Sequence, residues 1–391
     1  MRRIEGRAQH YAWGSTTDIP QLLGMPATDQ PYAEHWFGAH ESAPSLVDGQ
    51  PLDQQLAADP GLLGEASRSR FGPRLPYLVK FLAAAHPLSI QAHPDRAQAK
   101  AGYAAEEAAL VPIGSPERTY RDPWPKPECV IALTTFHGLG GFREPGQTVR
   151  LFEALGVARQ LNPVISPLSQ RRGSAAVAEV FFDVLSLEGE RLDLVDLVVQ
   201  AAQAHADDPG EVGLFARTAL EIDEQFPHDR GTLAALLLNR FTLEPGQGMF
   251  LPPGSMHAYL RGFALEVMAN SDNVLRGGLT SKHIDIDGLL TVVDFSPHPL
   301  QPIVPVPFET GVRRYPTQAD EFAVWALGPA ADTTLPGGGA RILVVAQGTA
   351  TLSNETSSLT LTAGQAAFVP ATEQPAVMVA GTAYLAGHGL G

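Results

Sequence analysis

The amino-acid sequence predicts a mainly β protein with a helical insertion, organised as two jelly-roll β-barrels plus an all-α domain. Three observations predict it. Short apolar runs broken by Pro and Gly fill residues 4–92 and return from Phe241 to the C-terminus. Between Thr148 and Asn239 the apolar residues instead recur at spacings of three and four, the helical period. A strand–turn–strand motif then occurs twice, at 241–253 and at 359–371.

Taken in order, Leu75-Pro76-Tyr77-Leu78-Val79-Lys80-Phe81-Leu82 typifies the first region and reads as a buried strand among turns. Residues 95–109, rich in Ala, Glu and Gln, read as one short helix. Residues 122–128 carry three prolines, so this stretch is extended chain or a sheet edge. Within the helical region, residues 175–185, 193–204 and 212–225 are the periodic segments, separated by breakers such as Asp208-Pro209-Gly210. These changes of character divide the chain into a discontinuous first barrel (1–145 and 240–305), a helical insertion (146–239) and a second barrel (306–391).

The repeat aligns Gly246 with Gly364, Gln247 with Gln365, Phe250 with Phe368 and Pro252 with Pro370. Its expected form is a hairpin with a Gly turn and a second strand ending in Pro. The copies diverge where chemistry would sit. The first continues into Gly254-Ser255-Met256-His257, the second into Thr372-Glu373-Gln374-Pro375 with no histidine. A metal or catalytic site is therefore expected in the first barrel only.

Composition narrows the function. With 44% hydrophobic and 18% charged residues the chain has material for packed cores, and 391 residues are too many for a single one. A net charge of −15 disfavours nucleic acid and anionic membrane as partners. The single cysteine, Cys129, excludes an intramolecular disulfide and a Cys-rich metal site. No run of 18 apolar residues is present, and residues 1–15 contain no apolar signal-peptide core. The expectation is a cytoplasmic monomer acting on a small molecule.

A metal site here must use imidazole, carboxylate and amide oxygen. Gln91 and His93 are two residues apart, so on a strand both face one side; Lys126 and Glu128 repeat that spacing. His257 follows the repeat strand. Two histidines, a glutamate and an amide oxygen form a mixed N/O set with room for water, the pattern of a catalytic zinc. Taken singly, each residue has a plainer reading. His93 before Pro94 is a loop histidine, Glu128 beside Lys126 a solvated ion pair, and Gln91 an uncommon ligand type. His35, His205 and His228 lack such context and receive no role.

Leu88-Ser89-Ile90-Gln91-Ala92-His93-Pro94-Asp95 resembles a signature of type I mannose-6-phosphate isomerases, which have cupin-like barrels. So do residues 251–260 and 266–280, with Lys126-Pro127-Glu128 and residues 234–239 in support; together these span roughly residues 10–290. The resemblance implies one Zn²⁺ per chain on Gln91, His93, Glu128 and His257, with Lys126, Asp272 and Arg276 in the same pocket. One departure is plain: the family usually carries Asn-His where this chain has Trp124-Pro125.

The implied reaction interconverts mannose 6-phosphate and fructose 6-phosphate by moving a proton between C2 and C1 through an enediol. Lys126 is the candidate base, since a nearby dication favours the neutral amine. Asp272 would open the ring or relay protons, and Arg276 with Lys282 would hold the phosphate or an enediolate oxygen. Lys282 reads equally well as a surface lysine. Two other classes stay in view. An Fe(II) cupin oxygenase would need only two His and a carboxylate, and a non-catalytic sugar-binding cupin would not need Lys126, Asp272 and Arg276.

Overall fold

The computed structural model describes residues 1–171, 173–329 and 331–390. Two large antiparallel sheets dominate it, one of ten strands and one of nine. In the first, the order runs Leu238–Leu243, Phe136–Phe142, His257–Ala269, Tyr77–Ala84, Glu34–Phe37, Arg7–Gln9. The strand Glu128–Ala132 joins it by pairing with Gly248–Leu251 on one side and with the far half of His257–Ala269 on the other.

The period-2 alternation of strands explains how the sheets meet. All eight residues of Tyr77–Ala84 are buried, so this strand is covered on both faces. Tyr77, Val79, Phe81 and Ala83 share a core with Tyr315, Phe322, Ile342, Phe368 and Tyr384 of the second sheet. Cys129, Ile131, Leu265 and Val267 lie in that same inter-sheet layer. Their alternates Leu82, Val130, Ala132 and Ala264, with Tyr259, line a separate core on the opposite face. By strand parity Lys80, Glu128 and Glu266 also point to that opposite face. One face of the sheet is thus apolar glue, and the other carries charge.

The sequence repeat is a structural one, but its form differs from a hairpin. Leu238–Leu243 bonds to Phe136–Phe142 and Gly248–Leu251 bonds to Glu128–Ala132, not to each other. In the second sheet Ser358–Thr362 and Ala366–Val369 both bond to the long strand Arg341–Ser353. Each Gly turn therefore carries the chain around a corner from one partner segment to the next. Gly246 and Gly364 sit at φ +87° and +80°, where other residues are strained. The side-chain oxygens of Gln247 and Gln365 accept from the backbone N–H of Glu244 (2.9 Å) and Thr362 (3.0 Å), closing both turns alike.

The repeat also locates the helices. In the second sheet Arg341–Ser353 returns into Ser358–Thr362 through a four-residue turn. At the matching place in the first sheet, between Phe136–Phe142 and Leu238–Leu243, the chain instead forms helices Pro145–Ala154, Ala158–Gln170, Ser174–Leu185, Asp193–His205, Gly210–Asp223 and Gly231–Leu236. Phe181, Val184, Val198 and Phe215 of these helices share one core with Leu139, Phe142 and Leu275 of the sheet and with Ile90 and Met256, each just before a strand. The helical block and the first sheet are packed as a unit.

Three features depart from the sequence reading. Residues 4–92 contain the short helices Asp18–Leu22, Leu52–Ala58 and Glu65–Phe71 as well as strands; two turns or fewer leave little periodic signal. The β character after Phe241 is interrupted by the helix Ile286–Val292, capped by the Asp285 carboxylate. Arg2–Ile4 pairs with Ala366–Phe368, so the first residues belong to the second sheet and not to the first. Among the described residues, no helix is long and apolar enough to cross a membrane.

Candidate active site

The Pro-rich segment acts as a rail. Trp124 and Lys126 each precede a proline, which excludes the helical region and keeps the backbone extended. The rail runs straight into Glu128–Ala132, and Glu128 opens that strand facing Leu251 and Met268. Lys126 Nζ lies 3.5 Å from Glu128 Oε1, so the two side chains share a face, as their spacing predicts.

His93 leaves the short strand Gln91–Ala92 and is followed by a helix, Arg96–Ala108. Asp95 and Gln98 form a reciprocal capping box that fixes the helix start. His257 begins the long strand His257–Ala269, opposite Gln91. Gln91 is also opposite Arg276. Directly opposed residues of antiparallel strands share a face, so Gln91, His257 and Arg276 line one surface.

His93, Glu128 and His257 converge, and all three are buried. The His93 Nε2–Glu128 Oε1 and His257 Nε2–Glu128 Oε2 separations are both 3.3 Å. Each ring places Nδ1 against a backbone carbonyl, Asn273 O at 2.8 Å for His93 and Ser255 O at 2.9 Å for His257. A carbonyl only accepts, so Nδ1 carries a proton and, in the neutral ring, Nε2 is the nitrogen whose lone pair is free to ligate. Among the described residues those two Nε2 atoms have no hydrogen-bond partner. Burial holds the His93 imidazole down to about 4, with the Glu128 carboxylate opposing, which keeps the ring neutral. Burial raises the Glu128 carboxyl, but His93 and Lys126 outweigh it and hold it well below the usual carboxylate range.

Two lone pairs and a carboxylate aimed at one buried point repel one another unless a cation lies between them. Donor atoms bound tetrahedrally at about 2.0–2.1 Å lie ~3.3 Å apart, matching the spacing found. The donor set therefore fits a divalent ion of the zinc type, with Gln91 on the adjoining surface.

Arg276, opposite Gln91, brings positive charge to one side of this point. Repulsion from Arg276, followed by partial burial and Arg121, lowers the Lys282 ammonium; burial and then Arg121 lower the Arg276 guanidinium. Arg121, Arg276 and Lys282 thus form a cluster, with Lys282 exposed at its edge. Asp272 is half exposed and meets His40, Nε2 to Oδ1 at 3.3 Å. Burial would raise its carboxyl, but the His40 hydrogen bond, Lys126 and Arg121 hold it at about 2.

Sequence reasoning missed several of these groups. Arg121 and Asp122 are tied to the far loop: Asn273 Oδ1 accepts from both backbone N–H groups, and Asn273 Nδ2 donates to Asp122 O and Trp124 O. Asp122 accepts from Ser271 Oγ (2.9 Å) and the Asp272 N–H (2.9 Å). This knot holds the rail against the loop carrying Asp272. Behind the centre Lys80 Nζ contacts Glu34 Oε1 (3.3 Å) and Glu266 Oε2 (3.1 Å), while Tyr259 donates to Glu266 (2.7 Å). A lysine inside the apolar run 75–82 was the available signal. The Trp124 ring is covered by Arg74 Cζ at 4.8 Å and Arg96 Cζ at 5.4 Å.

Comparison with known proteins agrees with this chemistry. Residues 1–145 match the catalytic domain of phosphomannose isomerase type I. The chain is 39% identical to mannose-6-phosphate isomerase of Escherichia coli K12, over 96% of each chain.

The chain belongs to the type I phosphomannose isomerase family.

Another member, mannose-6-phosphate isomerase of Salmonella typhimurium, is 38% identical over 99% of this chain and 98% of its own. A crystal structure of mannose 6-phosphate isomerase bound with zinc and yttrium superposes with a TM-score of 0.91 at 36% identity, covering 100% of both chains. The mixed fold of two large sheets with a helical block is therefore that of the family.

Proposed function

We propose that this phosphomannose isomerase family member interconverts mannose 6-phosphate and fructose 6-phosphate through an enediol, with one Zn²⁺ held by Gln91, His93, Glu128 and His257. The observation that carries it is the pair of buried imidazole nitrogens without hydrogen-bond partners among the described residues, on either side of Glu128 and with Lys126 beside them. When bound, zinc supplies Lewis acidity to the sugar's carbonyl and hydroxyl oxygens.

The chain's own residues do the rest. Lys126 takes the C2 proton and returns it at C1, its amine lying 3.5 Å from the Glu128 carboxylate of the same centre. Arg121, Arg276 and Lys282 receive the phosphate: burial and then Arg121 lower the Arg276 guanidinium, and Arg276 lowers the Lys282 ammonium, so this crowded positive charge gains from an arriving dianion. Asp272, ionised and half exposed, accepts the anomeric hydroxyl proton when the pyranose opens. The repeat of corner turns supports two cupin-like jelly rolls, divided as 1–145 with 240–305, 146–239, and 306–391, save that Arg2–Ile4 pair into the second sheet. The same reading takes the protein as a cytoplasmic monomer with a phosphosugar as its partner.

Lys126→Met tests the assignment of the base. Loss of a proton-transfer group lowers kcat by about 10²–10⁴ while zinc stays bound, and solvent-deuterium incorporation at the transferred carbon falls in parallel. Near-normal kcat with only a raised KM would make Lys126 a binding residue.

A further inference from the structure

Trp124 and Pro125 stand immediately before Lys126 on the rail. Trp124 is packed between Arg74 and Arg96, and Pro125 has no titratable group. The rail therefore offers no imidazole to the sugar. The structure brings an imidazole to Asp272 from the turn after the strand Glu34–Phe37.

His40 is built into that turn. It is 6% exposed, and its ring meets the Trp36 indole edge-on at 5.0 Å. Its Nδ1 accepts from the Ser42 backbone N–H at 3.3 Å and lies 2.8 Å from Ser42 Oγ. A backbone N–H can only donate, so Nδ1 is the acceptor nitrogen of the neutral ring and the proton resides on Nε2. That nitrogen faces Asp272 Oδ1 at 3.3 Å. The backbone of Asp272 is anchored independently, its N–H donating to Asp122 at 2.9 Å. The other charged and titratable groups acting on Asp272 are Lys126 and Arg121, and Tyr11 is acted on by Asp272, Glu34 and Lys80 together.

Resting on the isomerase reading above, we propose that His40 is a positioning residue for ring opening: its Nε2–H pins Asp272 Oδ1 and leaves Oδ2 aimed at the anomeric hydroxyl. In that step the O1–H proton passes to Asp272 Oδ2 and the O1–H electrons form the C1=O1 bond. The C1–O5 bond breaks with its pair to O5, which takes a proton from a cavity water. The hydroxide so formed recovers a proton from Asp272, leaving carboxylate and water as they began. His40 does not touch the sugar. It fixes which carboxylate oxygen is free and keeps that carboxylate ionised.

Two amide variants separate this role from a merely structural one. The amide nitrogen of His40→Gln reaches the position of Nε2, whereas that of His40→Asn stops at the position of Nδ1. Each is assayed on mannose 6-phosphate with and without deuterium at C2, alongside zinc analysis. His40→Asn lowers kcat about tenfold or more, as expected for a lost acid–base alignment. It keeps its zinc, and its C2-deuterium isotope effect stays at or falls toward unity because ring opening now limits turnover. His40→Gln recovers to within a few-fold of the wild type. Equal impairment of the two variants, loss of zinc, an isotope effect that grows, or an unimpaired His40→Asn overturns the inference. A wild-type protein without isomerase activity would defeat the isomerase reading itself, a result separate from any of these.

Discussion

Lys80→Met is the perturbation that most sharply tests the charged layer behind the candidate active site. Lys80 is the cation between two carboxylates at 3.3 and 3.1 Å, and the side chains of Lys80, Glu34 and Glu266 are 9%, 7% and 3% exposed. Removing one partner of a buried ion pair costs about 3–5 kcal/mol, because the remaining charge is stranded. Protonation offers an escape that caps this cost. Neutralising a carboxyl of ordinary pKa 4.5 at pH 7 costs about 3.4 kcal/mol, at 1.36 kcal/mol per unit. At pH 5 the same escape costs only about 0.7 kcal/mol. Burial raises the Glu266 carboxyl, Lys80 opposes the rise, and Glu128 and Glu34 add to it, so deleting the lysine pushes it higher. A carboxyl raised in the folded state contributes stability below its unfolded pKa and loses it as pH climbs through the folded value. The variant's deficit must therefore grow from pH 5 to pH 8. An unfolding entropy of about 2.1 cal/mol/K per residue over 391 residues is about 0.8 kcal/mol/K, so ~3.4 kcal/mol appears as a Tm drop of about 4 °C. Scanning calorimetry at both pH values measures it. A drop below about 1 °C, or one of equal size at pH 5 and 8, refutes the account of these charges as a desolvated, mutually neutralising group.

His257→Ala removes one of two buried imidazole donors, and the purified variant should hold well under one zinc per chain by elemental analysis; full zinc content would mean the ligand set is wrong. Arg121→Ala removes one of the three cations assigned to the phosphate, a charge-assisted contact of about 1.5–3 kcal/mol, and should raise KM for mannose 6-phosphate about 10- to 100-fold with little change in kcat. A kcat effect with unchanged KM would move Arg121 out of the phosphate site.

Much of this was legible in the sequence because it is carried by local spacing. The i, i+2 rule put Lys126 beside Glu128, and helical periodicity marked residues 175–185, 193–204 and 212–225, where Ser174–Leu185, Asp193–His205 and Gly210–Asp223 are helices. The Gly and Gln matches of the repeat mark equivalent turns. What was not legible depends on contacts between distant segments. Arg121 and Asp122 gain their places through Asn273, more than 150 residues away. His40 reaches Asp272 across a still longer gap, and nothing in Gly38-Ala39-His40-Glu41 distinguishes it from a loop histidine. The corner geometry of the repeat was hidden for the same reason: a Gly turn specifies a reversal of chain, while its partners Glu128–Ala132 and Phe136–Phe142 decide whether the flanking strands pair.

The most direct measurement is a coupled isomerase assay with mannose 6-phosphate on zinc-loaded protein, on chelator-stripped protein, and on stripped protein given one equivalent of Zn²⁺. The account predicts steady production of fructose 6-phosphate by the loaded enzyme, its loss with the metal, and its return at one zinc per chain. Full-rate isomerisation by zinc-free protein, or no turnover by protein carrying one zinc per chain, would contradict it.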